Sequence, residues 1–181
     1  MSEEIKQIEQ IDLRGVFKNL IIQSLNEKTG MPRKIIKFKT HETGVTLQSQ
    51  RRDLTYPLCT FLFALRDMTN EDGQEYHEFR DVMAYAKKHY GYTPSDYPLL
   101  NRSNWWLAEN GTKGAYENKY WHLTPQGKNF LNDPNFKVKA YFYPVPNTKE
   151  EIWSKKTTTL NEICKAFFSK NNGETWFKDG K

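Results

Sequence analysis

The amino-acid sequence predicts an α+β fold, and three observations support this class. Three segments with helical spacing of apolar residues precede a pair of tryptophans at 105–106. Two short strand-like segments follow, separated by the polar turn Asn110–Lys119. The second of these leads directly into a Thr-Pro-x-Gly helix start at Thr124. Helix, helix, helix, hairpin and helix is the order of a winged helix-turn-helix, so we expect that core over residues 54–135.

The first two helices of this core have clear end signals. The first is expected over Leu54–Met68, with Thr55 as its cap, and the second over Tyr76–His89, ended by Gly91. The third helix has Pro98 near its start. In a winged helix this third helix would enter a nucleic-acid groove.

The tryptophan pair lies where the third predicted helix meets the first wing strand. One interpretation is an exposed ring that stacks on an unpaired base. The other is a core ring, and we favour it for Trp106 because a helix-to-strand junction is usually buried. Tyr116, in the wing tip, is expected to be exposed.

Residues 1–53 are predicted to form an N-terminal helix and a basic β-hairpin. Apolar residues recur at helical spacing in the first half of this segment, and Gly30 and Pro32 then end the helix. The hairpin strands are expected at Arg33–Thr40 and Val45–Gln48.

Residues 136–181 are predicted to form a C-terminal strand and helix extension. Phe136–Tyr143 alternates well enough for a strand, and Glu151–Trp153 is expected to pair back onto it. A helix is then expected to start at Thr159.

Positive charge is concentrated in the hairpin region. The chain has 181 residues and a net charge of +5, yet seven basic residues between Lys28 and Arg52 stand against one acid, Glu42. Clustered positive charge favours a polyanionic partner, DNA or RNA. The alternative is a solvated basic face without a partner.

Several features bear on where the protein works. No apolar run approaches the ~20 residues needed to span a bilayer. The first residues have neither the basic nor the apolar region of an export signal. Cys59 and Cys164 both lie among apolar residues and are interpreted as buried thiols of a reducing compartment. We therefore expect a cytoplasmic protein without a membrane partner.

The motifs of common enzyme and cofactor sites are absent from the sequence. It has no Gly-x-Ser-x-Gly elbow, phosphate-binding loop or dinucleotide fingerprint. A zinc site needs about four converging ligands, and His77 and His89 flank one helix twelve residues apart. We therefore expect a non-enzymatic protein that binds no metal and no cofactor.

Three segments carry a resemblance to other proteins: Trp106–Glu109, Trp121–Phe130 with its Leu-Thr-x-x-Gly-x-x-Phe pattern, and Lys137–Tyr141. They resemble a set of small uncharacterised phage and bacterial proteins with a winged-helix core. The resemblance covers a little over half of the chain and implies that fold and a phage-encoded protein. The cysteine pairs that hold a structural zinc in that set have no counterpart here, since the sequence contains no Cys-x-x-Cys.

The predicted nucleic-acid interface combines the hairpin with the third helix and the wing. Lysine and arginine neutralise phosphates, while arginine and asparagine match the edges of guanine and adenine. A regulatory or accessory role would suit such an interface. Its predicted residues are Arg33, Lys34, Lys37, Lys39, Arg51, Arg52, Asn101, Arg102, Asn104, Lys113 and Lys119.

The alternative function is protein interaction, for example by a phage factor that inhibits or redirects a host protein. Between Tyr97 and Leu131 the basic residues exceed the acidic ones by only two, which keeps this option open. Tryptophan and tyrosine are enriched at binding hot spots. The aromatic anchors would be Tyr116, Trp153, Trp176 and Phe177.

Overall fold

The computed structural model describes residue 19 and residues 34–39, 44, 46–111, 119–146 and 148–170. From residue 34 onward they form four α-helices, one 3-10 helix and ten short strands, so the predicted α+β class is confirmed. In chain order the elements are β1 (Ile35–Lys39), β2 (Thr46–Gln50), β3 (Arg52–Asp53), α1 (Tyr56–Asp72), β4 (His77–Glu78), α2 (Phe79–Tyr90), the 3-10 helix (Tyr97–Asn101), β5 (Ala108–Gly111), β6 (Tyr120–Leu123), α3 (Pro125–Asn132), β7 (Val138–Lys139), β8 (Tyr141–Pro144), β9 (Glu151–Trp153), β10 (Thr157–Thr158) and α4 (Leu160–Lys170).

The chain divides into two compact units. Residues 1–53 and 139–156 form the first, which we call the β unit because β1, β2, β3, β8 and β9 belong to it. Residues 54–138 and 157–181 form the second, which we call the helical unit because it contains α1 to α4. The three-part division expected from the sequence, at residues 53 and 135, stays a prediction.

The β unit contains the basic hairpin. β1 and β2 pair antiparallel, with Ile35 opposite Gln50 and Lys39 opposite Thr46. The predicted hairpin is therefore confirmed. Its return strand extends to Gln50, two residues beyond the predicted end at Gln48, and Val45 lies outside the described residues. A separate antiparallel sheet has the strand order β3–β8–β9.

The core of the β unit is small and aromatic. Ile36 of β1 packs with Tyr141 and Tyr143 of β8, and all three are buried. Because strand side chains alternate between faces, the neighbours of Ile36 in sequence, Ile35 and Lys37, are exposed. Three partly buried side chains pack around this core: Leu47, Ala140 and Ile152.

The first two predicted helices are present in the helical unit with different ends. α1 continues to Asp72 rather than Met68, and α2 begins at Phe79 rather than Tyr76 because His77 and Glu78 form β4. The side chain of Thr55 caps α1 by accepting a hydrogen bond from the Leu58 amide at 3.4 Å. Gly73 ends α1 with a left-handed φ of 71°, which glycine adopts without strain. Gly91 ends α2 in the same way, as predicted.

Aromatic rings form the centre of the helical unit. Phe61 of α1 stacks on Tyr97 with 4.8 Å between ring centroids, and Trp121 of β6 meets both rings edge-on. β6 is the middle strand of the sheet β4–β6–β5, where Trp121 lies opposite His77 on one side and Asn110 on the other. Trp121 therefore connects this sheet to α1.

The third predicted helix is a 3-10 helix of five residues, so the expectation of an α-helix there is wrong. Pro98 has no amide hydrogen to donate to a helical carbonyl. The neighbouring turns close over three residues instead of four: the Leu99 amide donates to Asp96 O at 2.9 Å, and the Arg102 amide donates to Leu99 O at 3.0 Å.

The two wing strands pair as predicted. Ala108 lies opposite Leu123, and Gly111 lies opposite Tyr120. Residues 112–118, which include the predicted sites Lys113 and Tyr116, lie outside the described residues. The predicted N-terminal helix also lies outside the described residues, apart from residue 19.

The predicted strand Phe136–Tyr143 is divided into β7 and β8. Ala140 lies between them, and its amide donates to the carbonyl oxygen of Lys156 at 3.0 Å. β9 is confirmed, with Trp153 opposite Phe142 of β8. β7 pairs with β10, which the sequence analysis did not identify.

The last helix starts where the sequence places it. The Thr159 hydroxyl accepts a hydrogen bond from the Glu162 amide at 3.2 Å, and the Glu162 carboxylate accepts one from the Thr159 amide at 3.0 Å. This reciprocal capping box satisfies two donors at the start of α4. Within the described ranges, no helix has the length and apolar content that a membrane crossing requires.

Gly127 allows α3 to lie directly on the chain segment before β5. A Cβ atom at residue 127 would lie 1.9 Å from the carbonyl oxygen of Leu107 and 2.8 Å from its carbonyl carbon. These are backbone atoms, which cannot rotate away as the end of a side chain can. Glycine is therefore required here for α3 to keep its position.

We expect Gly127→Ala to lower the free energy of unfolding by about 1–3 kcal/mol or more, as overpacked sites do. Asn129→Ala, on the exposed side of the same helix, is the matched control and should change it by less than about 0.5 kcal/mol. Denaturant unfolding of both variants measures the difference. Equal midpoints for Gly127→Ala and the unmodified protein would contradict the close contact with Leu107.

Candidate nucleic-acid interface

Positive charge is concentrated in the β unit. The described residues of the helical unit carry ten basic and ten acidic side chains, so their formal charges cancel. The described residues of the β unit carry a surplus of six positive charges. Its basic residues are Lys34, Lys37, Lys39, Arg51, Arg52, Lys139, Lys149, Lys155 and Lys156, and its acidic residues are Asp53, Glu150 and Glu151.

The basic hairpin presents part of its predicted interface to solvent. Lys34 and Lys37 are exposed, and Arg52 on β3 is half-buried. Lys39 ends β1, and Arg33 lies outside the described residues. Lys34 and Lys37 are therefore the hairpin residues best placed to meet phosphate.

Arg51 is buried, with 7% of its surface exposed, although the sequence analysis assigned it to the interface. Its Nε lies 2.7 Å from Asp53 Oδ1, and its guanidinium lies 5.1 Å from the centre of the Tyr141 ring. The charge of Arg51 is thus neutralised inside the β unit. We therefore leave Arg51 out of the candidate interface.

Two exposed lysines, Lys155 and Lys156, belong to the β unit but were not among the predicted interface residues. Their adjacency is a local charge signal that sequence reasoning could have used. That signal does not place the two lysines with the hairpin, because they follow β9 and are about a hundred residues away from it in the chain. The sheet β3–β8–β9 is what brings their segment into the same unit.

A second group of predicted residues lies in the helical unit. Asn101, Arg102 and Asn104 are all exposed, at the end of the 3-10 helix and in the loop that follows. The Asn101 side-chain amide donates to Asn110 Oδ1 at 3.2 Å, which connects this loop to β5. Lys119, just before β6, is exposed as well.

The adjacent tryptophans occupy opposite environments. Trp105 is fully buried, whereas 39% of the surface of Trp106 is exposed. The assignment of Trp106 to the core is therefore wrong, and Trp105 is the core ring at this junction. The backbone gives the reason: Trp106 has a φ of 39°, which is uncommon for a residue other than glycine. This turn lets only the first ring enter the core.

Hydrogen bonds hold the backbone of this turn. The Trp106 amide donates to Arg102 O at 2.7 Å, and the Thr124 hydroxyl donates to Trp106 O. The Gln126 side-chain amide donates to Trp105 O at 2.6 Å. A left-handed residue with a side chain costs free energy and persists only where its surroundings stabilise it. The start of α3 supplies that stabilisation through Thr124 and Gln126.

The indole of Trp106 is held in place as well. Its Nε1–H donates to Glu109 Oε2 at 2.7 Å, and Glu109 Oε1 lies 3.2 Å from His122 Nε2. The centre of the His122 ring lies 4.6 Å from that of Tyr76, and Glu75 Oε1 lies 3.9 Å from His122 Nδ1. Trp106 is therefore an exposed ring with a defined orientation.

Neither cysteine has the character of a reactive thiol. Burial raises the pKa of the Cys59 thiol, so this fully buried group stays protonated at neutral pH. Cys164 is half-buried rather than buried as expected, and desolvation raises its pKa too. Within the described part of the chain, no three His, Cys, Asp or Glu side chains are grouped so that they could hold a metal ion.

Of the four aromatic anchors predicted for protein interaction, one lies among the described residues. Trp153 is half-buried, and its ring lies 4.5 Å from that of Phe142. Tyr116, Trp176 and Phe177 lie outside the described residues.

Comparison with models of known protein families, with curated proteins and with solved structures found no match. The function is therefore inferred from the charge and geometry described above.

We expect Trp105→Ala to lower the free energy of unfolding by about 3–5 kcal/mol, because it empties a fully buried aromatic site. Trp106→Ala should lower it by at most about 1 kcal/mol, since it removes a partly exposed ring and one hydrogen bond at the surface. Denaturant unfolding followed by far-UV circular dichroism compares the two variants. A larger loss for Trp106→Ala would contradict the burial described here.

Proposed function

We propose that this protein is a non-enzymatic nucleic-acid-binding protein that acts in a regulatory or accessory role. Its β unit would bind the phosphate backbone, and the exposed loop after the 3-10 helix would contact bases. The observation that carries the proposal is the separation of charge: the β unit has a large positive surplus, and the helical unit is neutral.

Phosphate binding is supported by the exposure of the charges. Lys34, Lys37, Lys155 and Lys156 are all exposed, whereas Arg51 is paired inside the unit. A lysine in water attracts phosphate and releases the counterions condensed on nucleic acid. The contribution of these lysines to binding should therefore not depend on base sequence.

The element order of the helical unit supports a winged-helix arrangement. In a winged helix, a hairpin follows the third helix, and its second strand returns beside a strand formed before the second helix. The order α1, β4, α2, 3-10 helix, β5, β6 and the strand order β4–β6–β5 agree with that description. The departure from it is the third helix, the 3-10 helix Tyr97–Asn101, which is too short to act as a recognition helix. We therefore assign base contacts to Asn101 at the end of this helix and to Arg102 and Asn104 in the loop that follows.

Protein interaction is the second candidate function. The neutral charge of the helical unit favours it, because a dedicated nucleic-acid-binding surface is strongly basic. Under this alternative the helical unit would bind a protein, and its affinity would depend weakly on salt.

We expect binding of duplex or single-stranded oligonucleotides to weaken steeply with salt. With roughly four lysines on phosphates, log K against log salt should have a slope of about −3.6 for duplex DNA. Replacing Lys34, Lys37, Lys155 and Lys156 by serine should bring the slope close to zero and weaken binding to all sequences alike. Fluorescence anisotropy at several salt concentrations measures both effects.

A matched control removes four exposed lysines from the helical unit, namely Lys87, Lys88, Lys165 and Lys170. It changes the net charge by the same amount and should leave the slope largely unchanged. If both fourfold variants flatten the slope equally, binding reflects net charge alone and the assignment to the β unit fails. If the unmodified protein binds no oligonucleotide at low salt, the nucleic-acid proposal is wrong and the protein-partner alternative replaces it.

A further inference from the structure

Trp106 is unusual because its ring is exposed, its backbone is left-handed and its indole is hydrogen-bonded to a neighbouring side chain. Ile35 and Trp106 are the large hydrophobic side chains exposed among the described residues, at 46% and 39%. A single exposed apolar residue needs no explanation by itself. Trp106, however, also has a left-handed backbone, with φ of 39°. Such outliers cluster at ligand-binding positions, where the surroundings hold them in place.

The backbone and the ring of Trp106 are each held by hydrogen bonds. Its carbonyl oxygen accepts from the Thr124 hydroxyl and its amide donates to Arg102 O, while one hydrogen bond, from the indole Nε1–H to Glu109, orients the ring. A ring fixed in this way loses little conformational freedom when a ligand packs against it.

The residues around Trp106 suit a nucleobase. Asn101, Arg102 and Asn104 are exposed within five positions of it in the chain, and their amide and guanidinium groups match the donors and acceptors of base edges. Glu109 lies against the indole at 2.7 Å, and a carboxylate repels phosphate. A base of the nucleic acid, rather than its phosphate backbone, is therefore the part that fits beside Trp106.

We propose that Trp106 is a stacking platform for an unpaired base, and that the preferred ligand of this protein is single-stranded nucleic acid. This inference rests on the proposed nucleic-acid function and names its ligand class. Aromatic rings stack on unpaired bases, whose faces are covered by neighbouring pairs in a duplex. The third helix of the helical unit supports the same ligand class. A 3-10 helix of five residues, Tyr97–Asn101, is about 10 Å long and does not offer the α-helix that reads a major groove.

Trp106→Ala and Trp106→Phe test this inference against a single-stranded oligothymidylate and a duplex of equal length. The unmodified protein should bind the single strand more tightly. Trp106→Ala should weaken single-strand binding by about fivefold to a hundredfold, while Trp106→Phe, which keeps a ring, should weaken it by only about twofold to threefold. The salt dependence should stay unchanged in both variants, because the phosphate contacts lie in the β unit.

Tyr85→Ala is the matched control, since it removes a half-buried aromatic ring from α2, outside the loop that carries Trp106 and outside the β unit. It should leave single-strand affinity unchanged. Tryptophan emission gives a second readout: saturating oligothymidylate should quench the unmodified protein more than Trp106→Phe, even where affinities differ. Thermal unfolding of each variant confirms that the fold is intact.

The outcomes separate the two proposals. If the unmodified protein binds no nucleic acid at low salt, the proposed function and the stacking platform both fail. If it binds with steep salt dependence but prefers the duplex, or if Trp106→Ala binds the single strand as tightly as the unmodified protein, the platform is wrong and the phosphate-binding function stands.

Discussion

The helical unit depends on the contact between the start of α3 and the segment that carries the two tryptophans. Thr124 accepts a hydrogen bond from the Gly127 amide at 2.9 Å, which caps α3, and its hydroxyl donates to Trp106 O. Its own amide donates to Leu107 O at 3.2 Å, and the missing side chain of Gly127 lets that carbonyl approach. One short turn thus caps a helix, holds a strained residue and sets the position of β5. These three hydrogen bonds all involve Thr124, so we expect the loss of one to weaken the other two.

This contact also decides how the second tryptophan is presented. Trp105 fills the core and Trp106 remains at the surface, because the chain turns through a left-handed residue between the 3-10 helix and β5. The residue with the unfavourable backbone conformation is thus the same residue whose ring we propose binds a base. Packing in the core and presentation of the ligand surface are two results of the same hydrogen bonds.

The two units, each considered by itself, differ in charge and in exposed aromatic surface. The β unit has exposed lysines and a small aromatic core around Tyr141 and Tyr143. The helical unit is neutral and has an exposed aromatic ring with amide and guanidinium groups near it in the chain. Nucleic acid has the same two chemical parts, a charged backbone and flat polar bases. The ion pair between buried Arg51 and half-buried Asp53 shows that a basic cluster in sequence contains structural charges as well as surface ones.

Local sequence signals determined the elements whose ends depend on nearby residues. Thr55 and Thr159 as helix caps, Gly91 as a helix end, and the pairing of β5 with β6 all follow from capping and turn chemistry within a few residues. Only the tertiary structure decided which of the two tryptophans is buried. Trp105 and Trp106 are identical and adjacent, so the pattern of apolar residues around them does not distinguish one from the other. It also decided that Arg51 pairs inside the β unit and that Lys155 and Lys156 belong to that unit. Burial depends on contacts distant in the chain: the ion-pair partner of Arg51 is Asp53, two residues away, but the ring beside its guanidinium is that of Tyr141 on β8.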